Sequence, residues 1–151
     1  IFSDNPAQVT CSRSVPLSHQ EILKFSRRRN PFNHPTVMFK KSVVLEFGGY
    51  PILKRNQDFE LFTHIVHRYK SKNIDQSLVL FRGNTDNLNR RKSLIKCLGD
   101  IGIIFRFWRK GYSRFIDLVI IIIVQIAVSL MPAKVFQIFS QKYLRKQTNH
   151  L

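Results

Sequence analysis

NPFNHPTVMFKKSVVLEFGGYPILKRNQDFE, residues Asn30–Glu60, is the stretch on which the reading of the chain turns. A Pro-bounded loop leads into Thr36–Phe39, whose β-branched and apolar content predicts a short buried strand. Ser42 can cap a brief helix through Phe47. Gly48 and Gly49 then end it, because the left-handed residue that closes a helix favours Gly. Pro51–Arg55 reads as a loop. From Gln57 to Tyr69 the pattern is helical, with Phe59, Phe62, Ile65, Val66 and Tyr69 on one face. Asp58 and Glu60 stand in the first turn of that helix. Carboxylates there suit the helix dipole, which is reason enough for their presence. They also follow a loop on a rigid scaffold, where chemistry is usually carried.

Working back towards the start, Ser18 and Glu21 form a capping box that opens a helix with Ile22, Leu23 and Phe25 on its apolar side. It runs into Arg27, Arg28 and Arg29 and stops at Asn30-Pro31. Residues 1–17 read as irregular. The opening, IFSDNPAQVT, has neither the basic nor the apolar region of a signal peptide, and Ile1 is not Met. The expectation is a segment of a longer protein.

Working forward, Ser77–Phe81 predicts a second strand ending at Arg82, followed by a polar loop. Leu94–Trp108 predicts an apolar helix stopped by Gly111, and Phe115–Met131 a second, almost wholly apolar one. Pro132 can start a last helix, Ala133–Lys146, basic with one apolar face. The order predicts an α/β class: part of an α/β domain over residues 1–89, then a helical, basic, apolar tail over residues 90–151.

With 25 Lys+Arg against 9 Asp+Glu, the net charge is +16, which draws the chain to something anionic. Nucleic acid, an anionic membrane surface and a phosphorylated substrate all qualify. No helix-turn-helix, zinc-finger or RNP-like motif supports the first. Cys11 and Cys97 form no disulfide framework and fit reduced core residues of a cytosolic protein. His64 and His67, three apart, could share a metal, but no third ligand is evident and a solvated helix face is the expectation. Arg27 to Arg29, and Arg106 with Arg109 and Lys110, are also expected to be solvated. The apolar run Leu118–Met131 is shorter than the roughly 20 residues a spanning helix needs. With its basic flanks it predicts a buried or interfacial helix at a membrane surface, in preference to a spanning one.

Several segments together resemble the C-terminal half of family 2 glycosyltransferases of bacterial capsule and exopolysaccharide synthesis, the amylovoran-biosynthesis type included. They are RNPFNHPTVMFKKS (29–42), FGGY (47–50), QDFELF (57–62), LVLFR (78–82) with NRR (89–91), and LMPAKVFQIFSQKYLRK (130–146). The likeness covers most of the chain from about Arg13. It implies a GT-A type fold and an inverting transfer from a nucleotide-sugar donor to a saccharide or lipid-linked saccharide acceptor. In the family pattern a Glu-Asp pair opens the helix after Gly-Gly-Tyr, and the Asp is the general base. Asp58 falls on that Asp, and Gln57 stands where Glu is usual. Glu60 matches a second acid, read as structural. Asn33, His34 and Thr36 would line the acceptor side, and Arg82 resembles an Arg that would meet a phosphate. Lys92 and Ser93 replace the Gly-Gly usual in that branch.

The family's nucleotide pocket and D-x-D metal motif lie in its N-terminal half. The resemblance therefore implies a divalent metal, Mg or Mn, in the complete enzyme with no ligands in this chain. This chain alone is expected to be inactive, and the complete enzyme to sit peripherally on the cytoplasmic face of the membrane with no nucleic-acid partner. The alternative is a non-enzymatic basic module that binds a membrane surface or nucleic acid.

Overall fold

The structure, a computed structural model, describes residues 11–82, 94–131, 135 and 146–147. Those residues form a helical assembly. Two-residue strands, β1 (Cys11–Ser12) and β2 (Lys146–Gln147), pair antiparallel, and five α-helices follow β1: α1 (His19–Ser26), α2 (Lys41–Glu46), α3 (Gln57–Arg68), α4 (Leu94–Arg109) and α5 (Phe115–Leu130). The expected helix Ala133–Lys146 lies almost wholly outside the described residues.

α1 starts as its sequence dictates. The Ser18 N–H donates to Glu21 Oε2 at 3.1 Å, and the Ser18 hydroxyl accepts from the Glu21 N–H at 3.4 Å. α2 starts one residue before Ser42, after Lys40, and has no side-chain cap. Its end is built from glycine. Gly48 N–H donates to Leu45 O and Gly49 N–H to Val44 O, both at 2.9 Å, which is the Schellman pair of bonds. Both glycines have φ of +78°, a region that disfavours any Cβ.

The two predicted strands are not formed among the described residues. Where Thr36–Phe39 was expected to extend, His34–Thr36 closes a 3-10 helix with Pro35 inside it, and the Thr36 hydroxyl donates to Asn33 O at 2.8 Å. A short polar side chain that bonds its own backbone offers the chain an alternative to a strand ladder. Met38 beyond it is 97% exposed. Ser77–Phe81 has no regular structure, and Leu78 and Leu80 are exposed. Apolar content proposes a strand, but only pairing with a neighbour makes one.

α3 is apolar on more than the one face expected. Leu61, Phe62, Ile65 and Val66 join Ile22, Phe32 and Val44 in a first core, while Phe59 joins Ile103, Ile104, Phe107, Leu118 and Ile121 in a second. It is thus the wall shared by the front of the molecule and the α4–α5 hairpin. The hairpin turn repeats the α2 ending: Gly111 N–H donates to Trp108 O and Tyr112 N–H to Phe107 O, with Gly111 at φ +75°.

Both acids of the hairpin tie it to the front. Asp117 is buried; it accepts from the Arg114 N–H at 2.9 Å and pairs with Arg28, just past the C-terminal end of α1. Burial raises its carboxyl, but the Arg114 bond, the Arg28 bond and the charges of Arg28 and Arg27 outweigh that and hold it below its ordinary value. Asp100 accepts from Asn56 Nδ2 ahead of α3 and from Gln125 Nε2 on α5 at 2.8 Å, and pairs with Lys96. Arg28 and Arg106, expected in solvent, are therefore held by carboxylates, Arg106 by Glu60.

The histidine pair is corrected too. His64 and His67 are half-buried against the hairpin, not on a solvated face. The His67 ring stacks on Tyr112 with centroids 4.0 Å apart, and its Nδ1 donates to Thr63 O at 2.8 Å. His64 packs edge-on against Tyr112 and Phe107. Burial is the main cause that lowers both histidines below their ordinary value, so they sit neutral in an aromatic seam.

Candidate active site

The mouth of α3 and the loop Asn30–Thr36 face one another. The loop is anchored by Phe32, buried edge-on against Phe62 of α3 with centroids 5.6 Å apart, and by Asn73 Nδ2, which donates to Pro31 O at 3.0 Å. Asn30 folds back on itself: the Phe32 N–H donates to Asn30 Oδ1 at 3.1 Å, which fixes the amide so that Nδ2 points at Asp58. That Nδ2 donates to Asp58 Oδ2 at 2.7 Å. The α2 ending delivers Tyr50, whose ring meets His34 edge-on at 5.7 Å.

His34, Tyr50, Gln57 and Asp58 line an open cleft of about 480 Å³. Asp58 enters it from the first turn of α3, where the helix N-terminus favours the carboxylate. Apart from Asn30, the Asp58 carboxylate has no hydrogen-bond or ion-pair partner among the described residues. Burial, then the negative charge of Asp58, raises the Tyr50 hydroxyl, so it stays protonated and available as a donor. Gln57 is tied down through Nε2, which donates to Leu53 O at 2.6 Å.

Glu60, one turn position on, is held differently. Arg106 of α4 closes a fork on both of its oxygens, with Nε at 3.0 Å from Oε1. The fork explains how two acids so close in sequence take different work: Glu60 braces α3 against α4, and Asp58 is left to the cleft.

Of the residues singled out from the sequence, His34, Gln57 and Asp58 are brought together. Asn33 stands at the N-cap of the 3-10 helix and Thr36 closes it, but the Thr36 hydroxyl is spent on Asn33 O. Arg82 is exposed at the end of its segment, outside the cleft lining. Asn30 and Tyr50 were missed as site residues, although both lie inside segments that carry the family resemblance. The signal for Asn30 was available: an Asn before Pro, at the end of a helix, commonly bonds the backbone two residues on. Among the described residues no three His, Cys, Asp or Glu side chains come together in a way that could hold a metal ion.

Sequence comparison identifies relatives of the chain. The chain is 32% identical over 146 residues to the UDP-Gal:alpha-D-GlcNAc-diphosphoundecaprenol beta-1,3-galactosyltransferase of Escherichia coli, covering 96% of this chain and 53% of that protein. Its homologues are glycosyltransferases. An uncharacterized glycosyltransferase of Haemophilus influenzae is 29% identical over 96% of this chain and 54% of its own length. An amylovoran biosynthesis glycosyltransferase of Erwinia amylovora is 27% identical over 86% of this chain and 49% of its own length. The chain spans about half the length of these curated relatives. No family model and no solved structure matches it.

Proposed function

We propose that this chain is the acceptor-binding half of an inverting glycosyltransferase of GT-A type, with Asp58 as its general base. One observation carries the reading: among the described residues Asp58 opens into the cleft bonded only to the neutral Asn30 amide, while its neighbour Glu60 is neutralised by Arg106. A base must be ionised, positioned and not already spent on a cation. An acceptor hydroxyl in the cleft would give its proton to the free Asp58 oxygen as its own oxygen attacks the anomeric carbon. The bond from that carbon to the leaving nucleotide diphosphate breaks on the opposite face, which inverts the configuration. His34 and Tyr50 supply a ring wall and a hydroxyl donor for a sugar. Gln57 and the Asn33–Thr36 turn hold the rim, and Arg82 is the weaker candidate for a phosphate contact.

The substrate class proposed here is a nucleotide-sugar donor and a saccharide or lipid-linked saccharide acceptor in surface polysaccharide synthesis, a reading that the names of the relatives support. Such an acceptor places the enzyme peripherally at the cytoplasmic membrane face. The divalent cation expected with the donor would have its ligands in the further sequence that the relatives possess, so this chain by itself is not expected to turn over. Asp58→Asn in the complete transferase tests the assignment. Transfer should fall by roughly 10²–10⁴-fold with the helical circular dichroism unchanged. Undiminished turnover would remove Asp58 from the role.

A further inference from the structure

We infer that the outward face of the α4–α5 hairpin docks flat on an anionic lipid surface, with Trp108 at headgroup depth. The inference rests on the membrane clause of the reading above and names the surface that would serve it.

The sequence of α5 sets the problem. Its inward side carries Asp117, Leu118 and Ile121, all buried. Its outward side carries Ile116, Ile123, Ile126 and Leu130, which are 54%, 60%, 54% and 80% exposed. Between Leu118 and Met131 there is no charged residue at all. A helix that faces water on one side ordinarily carries charge there. An aliphatic stripe four turns long is the mark of an interaction surface.

The hairpin corner says what kind of surface. Phe105, Trp108 and Phe115 are all exposed and form a chain of rings, 5.8 Å and then 5.7 Å between centroids. Exposed Arg109, Lys110 and Arg114 surround that corner. The two acids of the hairpin are turned inward and spent, Asp100 on Lys96 and Asp117 on Arg28, so the corner is left positive. Aliphatic side chains for the acyl boundary, a Trp for the headgroup layer and bases for lipid phosphate are the three parts of an interfacial helix. A protein partner would not require this charge pattern, whereas an anionic leaflet does. The helix lies on that surface and does not cross it. Its 16 residues span roughly 24 Å against a hydrocarbon core of about 30 Å. No helix among the described residues is long and apolar enough to cross a membrane.

Trp108 is the single tryptophan of the chain and reports on its own burial. The full chain is mixed with vesicles of phosphatidylcholine containing phosphatidylglycerol, and separately with phosphatidylcholine alone. Emission should shift to the blue, and the protein should co-sediment, with the anionic vesicles only. Replacing Arg109, Lys110 and Arg114 together by Gln should weaken partitioning about a hundredfold, at roughly fivefold per charge. Replacing Ile123 and Ile126 together by Ser should weaken it by about tenfold or more. Both sets are exposed, so circular dichroism should not move. Asp58→Asn should bind vesicles as the parent does, which separates loss of docking from loss of sugar transfer. Equal binding to neutral vesicles, or binding that survives both sets of substitutions, overturns the inference. So does a blue shift that needs no lipid and follows protein concentration, because that assigns the face to a second copy of the chain.

Discussion

Asp58 and Glu60 lie on the same helical turn, yet they belong to two differently built regions. On the hairpin side every acid is consumed by structure: Glu60 by the Arg106 fork, Asp100 by Asn56, Lys96 and Gln125, Asp117 by Arg28 and the Arg114 N–H. On the cleft side Asp58 has the Asn30 amide and open space. In a chain of net charge +16, a carboxylate escapes ion pairing only if placement keeps bases away from it. The Asn30–Pro31 corner brings a neutral donor to Asp58, and no base among the described residues pairs with it. The difference teaches that acid count and spacing do not assign roles here; the partner does.

The largest effect should come from exchanging the two acids' fates in the complete transferase. Asp58→Asn should cost 10²–10⁴-fold in turnover and little stability. Glu60→Gln should do the reverse, keeping turnover within about tenfold and costing about 1–2 kcal/mol in urea unfolding. It loses a fork whose Arg106 end is partly in water. Equal losses of turnover from the two would break the comparison at its root.

The elements on which that comparison stands were largely legible in the sequence. The Ser18 capping box, the Gly48-Gly49 ending, α3 with its acidic first turn and the bounds of α4 and α5 all follow from local rules, because each is decided within one or two turns of chain. What was not legible depends on distant partners. Arg106 meets Glu60 across 46 residues and Arg28 meets Asp117 across 89, and no spacing rule reaches that far. The predicted strands failed for the same reason: Thr36–Phe39 and Ser77–Phe81 have strand composition but no paired neighbour among the described residues. His64 and His67 read as solvated because Tyr112, which covers them, arrives from the turn between α4 and α5. At the cleft, Asp58, His34 and Gln57 could be named from sequence. For Asn30 the sequence offered the backbone turn but not the bond to Asp58, and Tyr50 carried no such signal, since both contacts come from how the loop and the α2 ending fold against α3.

A smaller effect should come from the Asp100 junction. Asp100→Ala leaves the Asn56 and Gln125 amides and Lys96 without their shared acceptor and should cost about 2–3 kcal/mol. Asn56 is held at φ +61°, left-handed and unusual for a non-glycine residue, directly before the helix that carries Asp58. The loss should therefore also reach turnover. A variant that is destabilised but fully active would show that the cleft does not depend on the hairpin.

Acid should separate the regions in two steps. His64 and His67 have folded values lowered from 6.5, so the folded state binds fewer protons than the unfolded state. Their contribution is full above pH 6.5 and is lost as pH falls through the lowered values. Asp117 is lowered from 3.8, and its contribution is likewise lost as pH falls below that point. Asp117→Asn should cost about 1–2 kcal/mol at neutral pH and flatten the lower step, and His67→Gln should flatten the upper one. Urea midpoints across pH would show both steps. A stability that rises on acidification would invert the assignment.

The smallest effect concerns the wall between the regions. Thr63 of α3 is fully buried, and its hydroxyl has no hydrogen-bond partner among the described residues. Its carbonyl is in use, accepting from His67, but that bond belongs to the backbone and survives substitution. Val has nearly the shape of Thr and the same stiffness at χ1, so Thr63→Val exchanges a buried unpaired hydroxyl for a methyl with little repacking. Stability should be unchanged or rise by up to about 1 kcal/mol, with turnover unaffected. If α3 is only a wall at this point, removing the polar atom is harmless. A loss above about 1 kcal/mol would mean that the hydroxyl has a partner outside the described residues, and α3 would then be polar-bonded on its cleft-to-hairpin flank as well as packed there.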